Sequence, residues 1–274
     1  MVVKNEKAFT LIELLVVISI IALLVSILMP ALSKARQNAK FLICKTRQRS
    51  IVQAVNLYQA DYNGKLPPST QGNNSGWWTI PMRLKYYYGS TGANGGSVTD
   101  ILGKYMETGE YFDCPLAKHN PDWQNQYYTA MRDDNVDFLN CSYYLLWNWK
   151  RCINKNPNFP DRPNFNPTGR GKDKLMTCDF LIYNESYNNN YNKGKFWISP
   201  HPWKGASSMT FADAMANATL NQGFKFWMED DQTGQNRPDM KMAAGYLDGR
   251  VDTVDSLKYE LMSDGFHYLP DVRR

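Results

Sequence analysis

Residues 9–32 read FTLIELLVVISIIALLVSILMPAL, a near-continuous apolar run whose sole charge is Glu13. Its 24 residues, at about 1.5 Å of rise each, would make a helix of roughly 36 Å, enough to cross a hydrocarbon core of about 30 Å with some tilt. In front of it stands the short segment MVVKNEKA, which carries Lys4 and Lys7. A secretory signal peptide places its charges first, then an apolar core of about 7–15 residues, then a small-residue cleavage site. Here the run is longer than that, and the small residue, Ala8, comes before it. The expected outcome is a chain held in a membrane by this segment.

Two residues in the run ask for a physical reason. A carboxylate at the centre of a membrane helix costs about 2.5–3.5 kcal/mol on insertion scales, so Glu13 is expected to find a partner. Pro30 lacks a donor N–H and crowds the preceding turn, so a kink or a locally melted stretch is expected upstream of it.

Beyond the run the helix is expected to continue. Ala35, Ala39, Ile43, Ile51, Ala54, Tyr58 and Tyr62 recur at helical spacing and mark one face. Asn63-Gly64, followed by Pro67-Pro68, supplies the stop signal. The chain therefore divides into a short charged segment over 1–8, a membrane helix over 9–32, an amphipathic extension over 33–63 and a globular part over 64–274.

The arrangement KAFTLIELLVVISII resembles the N-terminal signal of prepilins and pseudopilins. That resemblance implies that 1–8 is a leader and that 9–32 also forms a filament core, with cleavage between Ala8 and Phe9 by a prepilin peptidase, N-methylation of Phe9 by the same class of enzyme, and Glu13 as the fifth mature residue. It also implies a partner for Glu13: the Phe9 α-amine of a neighbouring subunit, a charge created by cleavage. The following stretch, ARQNAKFLICKTRQRSIVQAVNLYQADYNGKLPPS, is similar to the post-membrane segment of pseudopilin-like proteins with a processing-associated domain named for His, nine residues, then Asp-Gly. The shared elements here are Cys44, Arg47-Gln48, Tyr58 and Gly64-Lys65-Leu66-Pro67. Weaker echoes are Cys114-Pro115, Ser142-Tyr143-Tyr144 and the segment around Asp179. Near the C-terminus AAGYLDGRVDTV resembles the closing strand and its Asp248-Gly249 turn, but the position of the name-giving histidine holds Pro238, preceded by Arg237.

Between Glu13 and Asp61 there is no acidic residue, while Lys34, Arg36, Lys40, Lys45, Arg47 and Arg49 follow the apolar run. Charge bias alone would keep the globular part in the cytoplasm. The cleavage pattern is the more specific signal, and it implies an inner-membrane, single-pass protein whose C-terminal part is exported to the periplasm or cell surface. The basic stretch reads as a solvated helix face near anionic headgroups in preference to a nucleic-acid groove.

The rest of the chain is rich in Tyr, Trp and Asn, and is broken by segments such as GSTGANGGS and NPNFPDRPNFNPTGRG. This composition predicts a loop-rich α+β domain, pilin-like, with the long helix packed on an antiparallel sheet. Candidate strands are 175–183, 195–199, 208–212, 224–228 and 242–246, the last turning through Asp248-Gly249 into 250–254.

The five cysteines are Cys44, Cys114, Cys141, Cys152 and Cys178. Export permits disulfides, and proximity in sequence makes Cys141 and Cys152 the first candidate pair. No C-x-x-C or histidine pair marks a zinc site, and Cys114 with His119 is far from a ligand set. No cofactor is expected beyond a weak calcium candidate at Asp248, Asp252 and Asp255, whose spacing fits an ordinary Asp-Gly hairpin better than a known calcium loop. The three histidines, His119, His201 and His267, are scattered, and Gly205-Ala206-Ser207-Ser208 lacks the second glycine of a nucleophile elbow, so catalysis is not expected.

The resemblance thus implies a pilin-like or pseudopilin-like structural subunit, assembled by a type II secretion or type IV pilus machine. Its implied partners are the prepilin peptidase and methyltransferase, other pilin or pseudopilin subunits, and the inner-membrane assembly platform. The competing expectation is a signal-anchored binding module, with Trp77-Trp78, Tyr86-Tyr87-Tyr88, Tyr127-Tyr128, Tyr143-Tyr144, Trp147 and Trp149 lining a surface for sugars or an apolar partner.

Overall fold

The computed structural model describes residues 10–67, 83–86, 98–106, 109–119, 138–147, 174–184, 196–204, 207–210, 224–230, 237–261 and 267–270. Two compact units divide at residue 42, Met1–Leu42 and Ile43–Arg274. Ala8 and Phe9 lie outside the described residues, as does Cys152.

Helix α1 spans Leu11–Asp61. It runs through Pro30 without interruption, so the locally melted stretch expected before that proline does not occur. One missing donor removes one bond, and the unbroken Leu, Ile and Val flanks keep the helical turns on either side. In the first unit the large apolar side chains are exposed all round the helix, from Val25 at 41% to Leu11 at 78%. Among the described residues this is the helix long and apolar enough to cross a membrane.

The helix ends as its sequence foretells. Asn63 adopts φ 54° and Gly64 φ 77°, and the Gly64 N–H returns to the Gln59 carbonyl at 2.7 Å, the closure of a Schellman-type cap.

In the second unit α1 buries Cys44, Gln48, Ile51, Val52, Ala54 and Val55. This stripe is rotated from the one read from apolar residues: Ile43 is 47% exposed, and its neighbour Cys44 is fully buried. A periodicity count restricted to apolar residues passes over Gln48, which is fully buried on the same face.

The other elements are short: β1 (Arg83–Tyr86), α2 (Val98–Leu102), β2 (Lys118–His119), β3 (Phe138–Asn140), β4 (Tyr143–Leu145), β5 (Leu175–Asp179), β6 (Leu181–Asn184), β7 (Phe196–Ser199), β8 (Ser207–Thr210), β9 (Phe224–Asp230), β10 (Lys241–Tyr246), β11 (Val251–Asp255), β12 (Tyr259–Leu261) and β13 (His267–Pro270). They form antiparallel sheets in place of the single sheet expected. A four-stranded sheet has the order β11-β10-β5-β4, a seven-stranded sheet runs β12-β13-β6-β7-β9-β2 with β8 also on β9, and β1 pairs β3. The expected strand over 175–183 is two strands: β5 belongs to the four-stranded sheet and β6 to the seven-stranded one, with buried Phe180 at the switch.

The four-stranded sheet meets the buried face of α1 closely. Gly245 on β10 sits opposite Thr177 on β5, and a Cβ there would come within 2.5 Å of Thr177 Oγ1 and 3.3 Å of Val52 Cγ2. Only a residue without a side chain lets the helix and both strands come this close. Around this contact Tyr143, Tyr144, Leu146, Trp147, Met176, Cys178 and Phe180 are all fully buried. Tyr143, Tyr144 and Trp147 are thus core residues, at odds with a place on an aromatic binding surface; Trp77, Trp78, Tyr127, Tyr128 and Trp149 lie outside the described residues.

Candidate functional site

The first site is the start of α1. Thr10 precedes the first helical residue, and Glu13 is the third residue of the helix. The Thr10 N–H donates to Glu13 Oε2 at 2.9 Å and the Thr10 hydroxyl donates to the same oxygen at 2.8 Å. In return the Glu13 N–H donates to Thr10 Oγ1 at 3.3 Å. This is a reciprocal capping box, two orphan donors of the helix end satisfied by the Thr-x-x-Glu spacing. Sequence reading treated Glu13 as an assembly charge and missed its local role, although the spacing was there to be read. Both bonds from Thr10 fall on Oε2, so Oε1 points outside the box. The carboxylate is therefore held in one orientation at the helix start, where a cationic partner can meet it.

The second site lies in the core of the second unit and was not foreseen. Cys44 comes from α1, Cys114 from the turn after a 3-10 helix over Gly109–Phe112, Asp179 from the end of β5, and His201 from the loop after β7. All four are at most 2% exposed. Cys44 Sγ donates to Asp179 Oδ1 at 3.4 Å and lies 3.7 Å from His201 Nε2. Asp179 Oδ2 lies 3.2 Å from His201 Nε2. The sulfurs of Cys44 and Cys114 and a ring nitrogen of His201 all fall within 4.8 Å of one another.

Each group is fixed from behind. His201 Nδ1 is 2.8 Å from the Lys241 carbonyl, which can only accept, so Nδ1 carries the ring proton and Nε2 faces the cluster. Asp179 accepts from Gln48 Nε2 at 2.9 Å and from the Ala243 N–H at 2.5 Å. Gln48 is itself oriented by Thr177, whose hydroxyl donates to its Oε1 at 3.0 Å.

The electrostatics follow from burial and proximity. Burial raises the Asp179 carboxyl to about 6, against the opposing pull of His201. Burial alone would lower His201, but the charges of Asp179 and Cys114 outweigh it and lift the imidazole to about 9. Burial would likewise raise Cys114, yet the bond from Cys44 and the positive His201 bring its thiol well below the ordinary value. Cys44 is pushed the other way, by burial first and then by its negative neighbours Cys114 and Asp179. A cysteine, a histidine and an aspartate in mutual reach also form the parts of a nucleophilic site, and here every member is buried.

The residues singled out in the sequence sit elsewhere. Asp248 and Asp252 both face Arg250, at 3.6 Å and 2.5 Å, on the β10–β11 hairpin. Asp255 accepts from Lys241 at 3.1 Å and caps the Leu257 N–H at 3.2 Å. Each of the three calcium candidates is thus engaged by a protein cation or donor. Gly249, with φ 83°, makes the Asp-Gly turn as expected. The Pro238 carbonyl accepts the Ser256 hydroxyl at 2.5 Å. Cys141 has a buried free thiol that donates to the Tyr143 carbonyl at 3.0 Å, and its expected partner Cys152 is outside the described residues.

Comparison with known proteins places the N-terminal segment. Residues 3–29 match the prokaryotic N-terminal methylation motif. The chain is 34% identical over 91 residues to the type IV wide pilus major component PilA4 of Thermus thermophilus, covering 33% of this chain and 70% of that protein. It is 35% identical over 81 residues to the ComG operon protein 3 homolog of Bacillus licheniformis, covering 30% of this chain and 81% of that one. A third relative, competence protein ComGC of Bacillus subtilis, is 30% identical over 73 residues, 27% of this chain and 74% of its own length. No solved structure matches the chain. With an apolar anchor helix, an N-terminal methylation motif and an alignment that covers 70% or more of each of these relatives, the chain belongs to the type IV pilin-like proteins and is a pilin- or pseudopilin-type subunit processed at its N-terminal motif.

Proposed function

We propose that this subunit is anchored in the inner membrane by α1, exports its C-terminal unit, and enters a filament by pairing Glu13 with the Phe9 amine of the next copy or of another pilin. The observation that carries this reading is the state of the first unit. Its apolar side chains are exposed on every side of the helix, and the Glu13 carboxylate is oriented by Thr10 at the helix start. Such a surface is stable in lipid or against other helices of the same kind, and the carboxylate gives that packing a register. Processing by a prepilin peptidase and methyltransferase exposes the matching amine, and an inner-membrane assembly platform of the type IV pilus or type II secretion class moves the subunit outward.

The globular unit acts here as a structural module without catalysis of its own. Its cysteine–histidine–aspartate cluster is buried, which favours a structural role for it. The length beyond the segment shared with the relatives suits a minor or specialised subunit.

Shearing and sedimentation of filaments from cells that express Glu13→Ala test the assembly step. The variant should still lose its leader and remain in the membrane, while the wild-type chain reaches the sheared fraction. Equal amounts of both in that fraction would contradict a role for Glu13 in assembly.

A further inference from the structure

The buried cluster of the second unit brings two sulfurs and a ring nitrogen within 4.8 Å of one another, with the Asp179 carboxylate against two of them. Nδ1 of His201 spends its proton on the Lys241 carbonyl at 2.8 Å, so Nε2 looks towards Asp179 Oδ2 at 3.2 Å and Cys44 Sγ at 3.7 Å. Cys114 Sγ lies within 4.8 Å of Cys44 Sγ and of a ring nitrogen of His201. A proton on Nε2 can be directed at one acceptor at a time. The remaining negative charge would then stay in an interior where uncompensated charge is costly.

We propose that this cluster is a structural metal site, in which Cys44 Sγ, Cys114 Sγ, His201 Nε2 and Asp179 Oδ2 hold one divalent ion of the zinc type. Metal–ligand bonds of about 2.0–2.3 Å place the ligand atoms of a tetrahedral zinc site about 3.4–3.8 Å apart. The Cys44–His201 separation of 3.7 Å lies at that spacing, and the Asp179–His201 separation of 3.2 Å is slightly shorter. Two sulfurs with an imidazole select a borderline-soft ion over calcium or magnesium, which prefer oxygen. On binding, the protons held by the two thiols and by Nε2 leave to solvent, and the thiolates and carboxylate gain the positive charge they face.

The surroundings are those of a built site. The Lys241 carbonyl on Nδ1 is the outer-shell bond that metal-bound histidines commonly make, fixing the tautomer and the ring plane. Asp179 is oriented by Gln48 and by the Ala243 N–H. The four ligands come from α1, the turn at Cys114, β5 and the loop after β7, so the ion would tie the helix to two sheets in a domain with many loops. With four protein ligands and no open side it would be structural, in keeping with complete burial.

The test uses the full chain in detergent, purified under reducing, chelator-free conditions and loaded with Zn2+ or Co2+. The expected result is one ion per chain by elemental analysis, and for Co2+ the visible bands and the sulfur-to-metal charge transfer of a tetrahedral thiolate site. Cys44→Ser, Cys114→Ser and His201→Gln should each weaken binding at least about tenfold, whereas Cys141→Ser should bind as the wild type does. The Co2+ spectrum of the wild-type chain reports sulfur ligation without any variant, so a ligand variant that fails to fold leaves the test intact. Failure of the reduced wild-type chain to take up either ion would overturn the proposal. So would a Cys44–Cys114 disulfide in chain isolated from native membranes with thiols blocked at lysis.

Discussion

Gln48 on α1 donates to Asp179 at the end of β5, Nε2 to Oδ1 at 2.9 Å, across 131 positions of sequence. Both side chains are fully buried. The same Gln48 accepts from Thr177 at 3.0 Å, so one amide joins the helix to the strand and orients the carboxylate that faces His201. Replacing Gln48 with Leu removes a hydrogen bond to a charged group and leaves Thr177 without its acceptor. The expected loss is about 2–3 kcal/mol of unfolding free energy, read by urea denaturation of the full chain in detergent. A loss near zero would mean that Asp179 is oriented without Gln48.

Gly245→Ala tests the close approach of α1 and the four-stranded sheet. Its Cβ would fall 2.5 Å from Thr177 Oγ1 and 3.3 Å from Val52 Cγ2. Thr177 cannot rotate away without dropping its bond to Gln48. Destabilisation of about 1–3 kcal/mol is expected, and the double variant Gly245→Ala with Val52→Ala should recover less than half of it, since Thr177 is the nearer obstacle.

The expected strand over 175–183 shows where sequence reading stops. Residues 175–181 are buried without a break, so no alternation marks the point at which the chain leaves one sheet for the other. By contrast, the apolar anchor, the Asn63-Gly64 stop and the Asp248-Gly249 hairpin each rest on local chemistry, and each lies where the sequence placed it. The buried cluster has no such local signature: Cys44 and His201 are 157 positions apart. The one clue was that Cys44 and Gln48 fall one helical turn apart on the face that also carries Ile51 and Val55, an interruption of polarity in an otherwise apolar stripe.

Tyr105 donates to Asp61 at 2.6 Å, just past the last turns of α1. That bond, with the carboxylate's charge, lifts the phenol from 10.0 to about 12. Because the folded value is raised, the contribution to stability is fully present below pH 10 and is lost as pH rises through about 12. Ultraviolet titration of tyrosinate should show a late-ionising group in the wild-type chain that is missing from Tyr105→Phe. An unchanged titration would contradict the assignment.

Thr10→Ala removes the hydroxyl half of the capping box. A cap of this kind is worth about 0.5–2 kcal/mol, so amide exchange in the first turn of α1, measured in detergent micelles, should quicken, and Thr10→Ser should restore the wild-type rate. Identical rates in all three would show that Glu13 is oriented by something other than Thr10.

The mass of the N-terminal peptide from the native membrane fraction bears most directly on the reading of this chain as a processed pilin-type subunit. A peptide that begins at N-methylated Phe9, with residues 1–8 removed, is the expected result. A peptide that begins at Met1 would contradict it, since the Phe9 amine that Glu13 is proposed to meet would then never form.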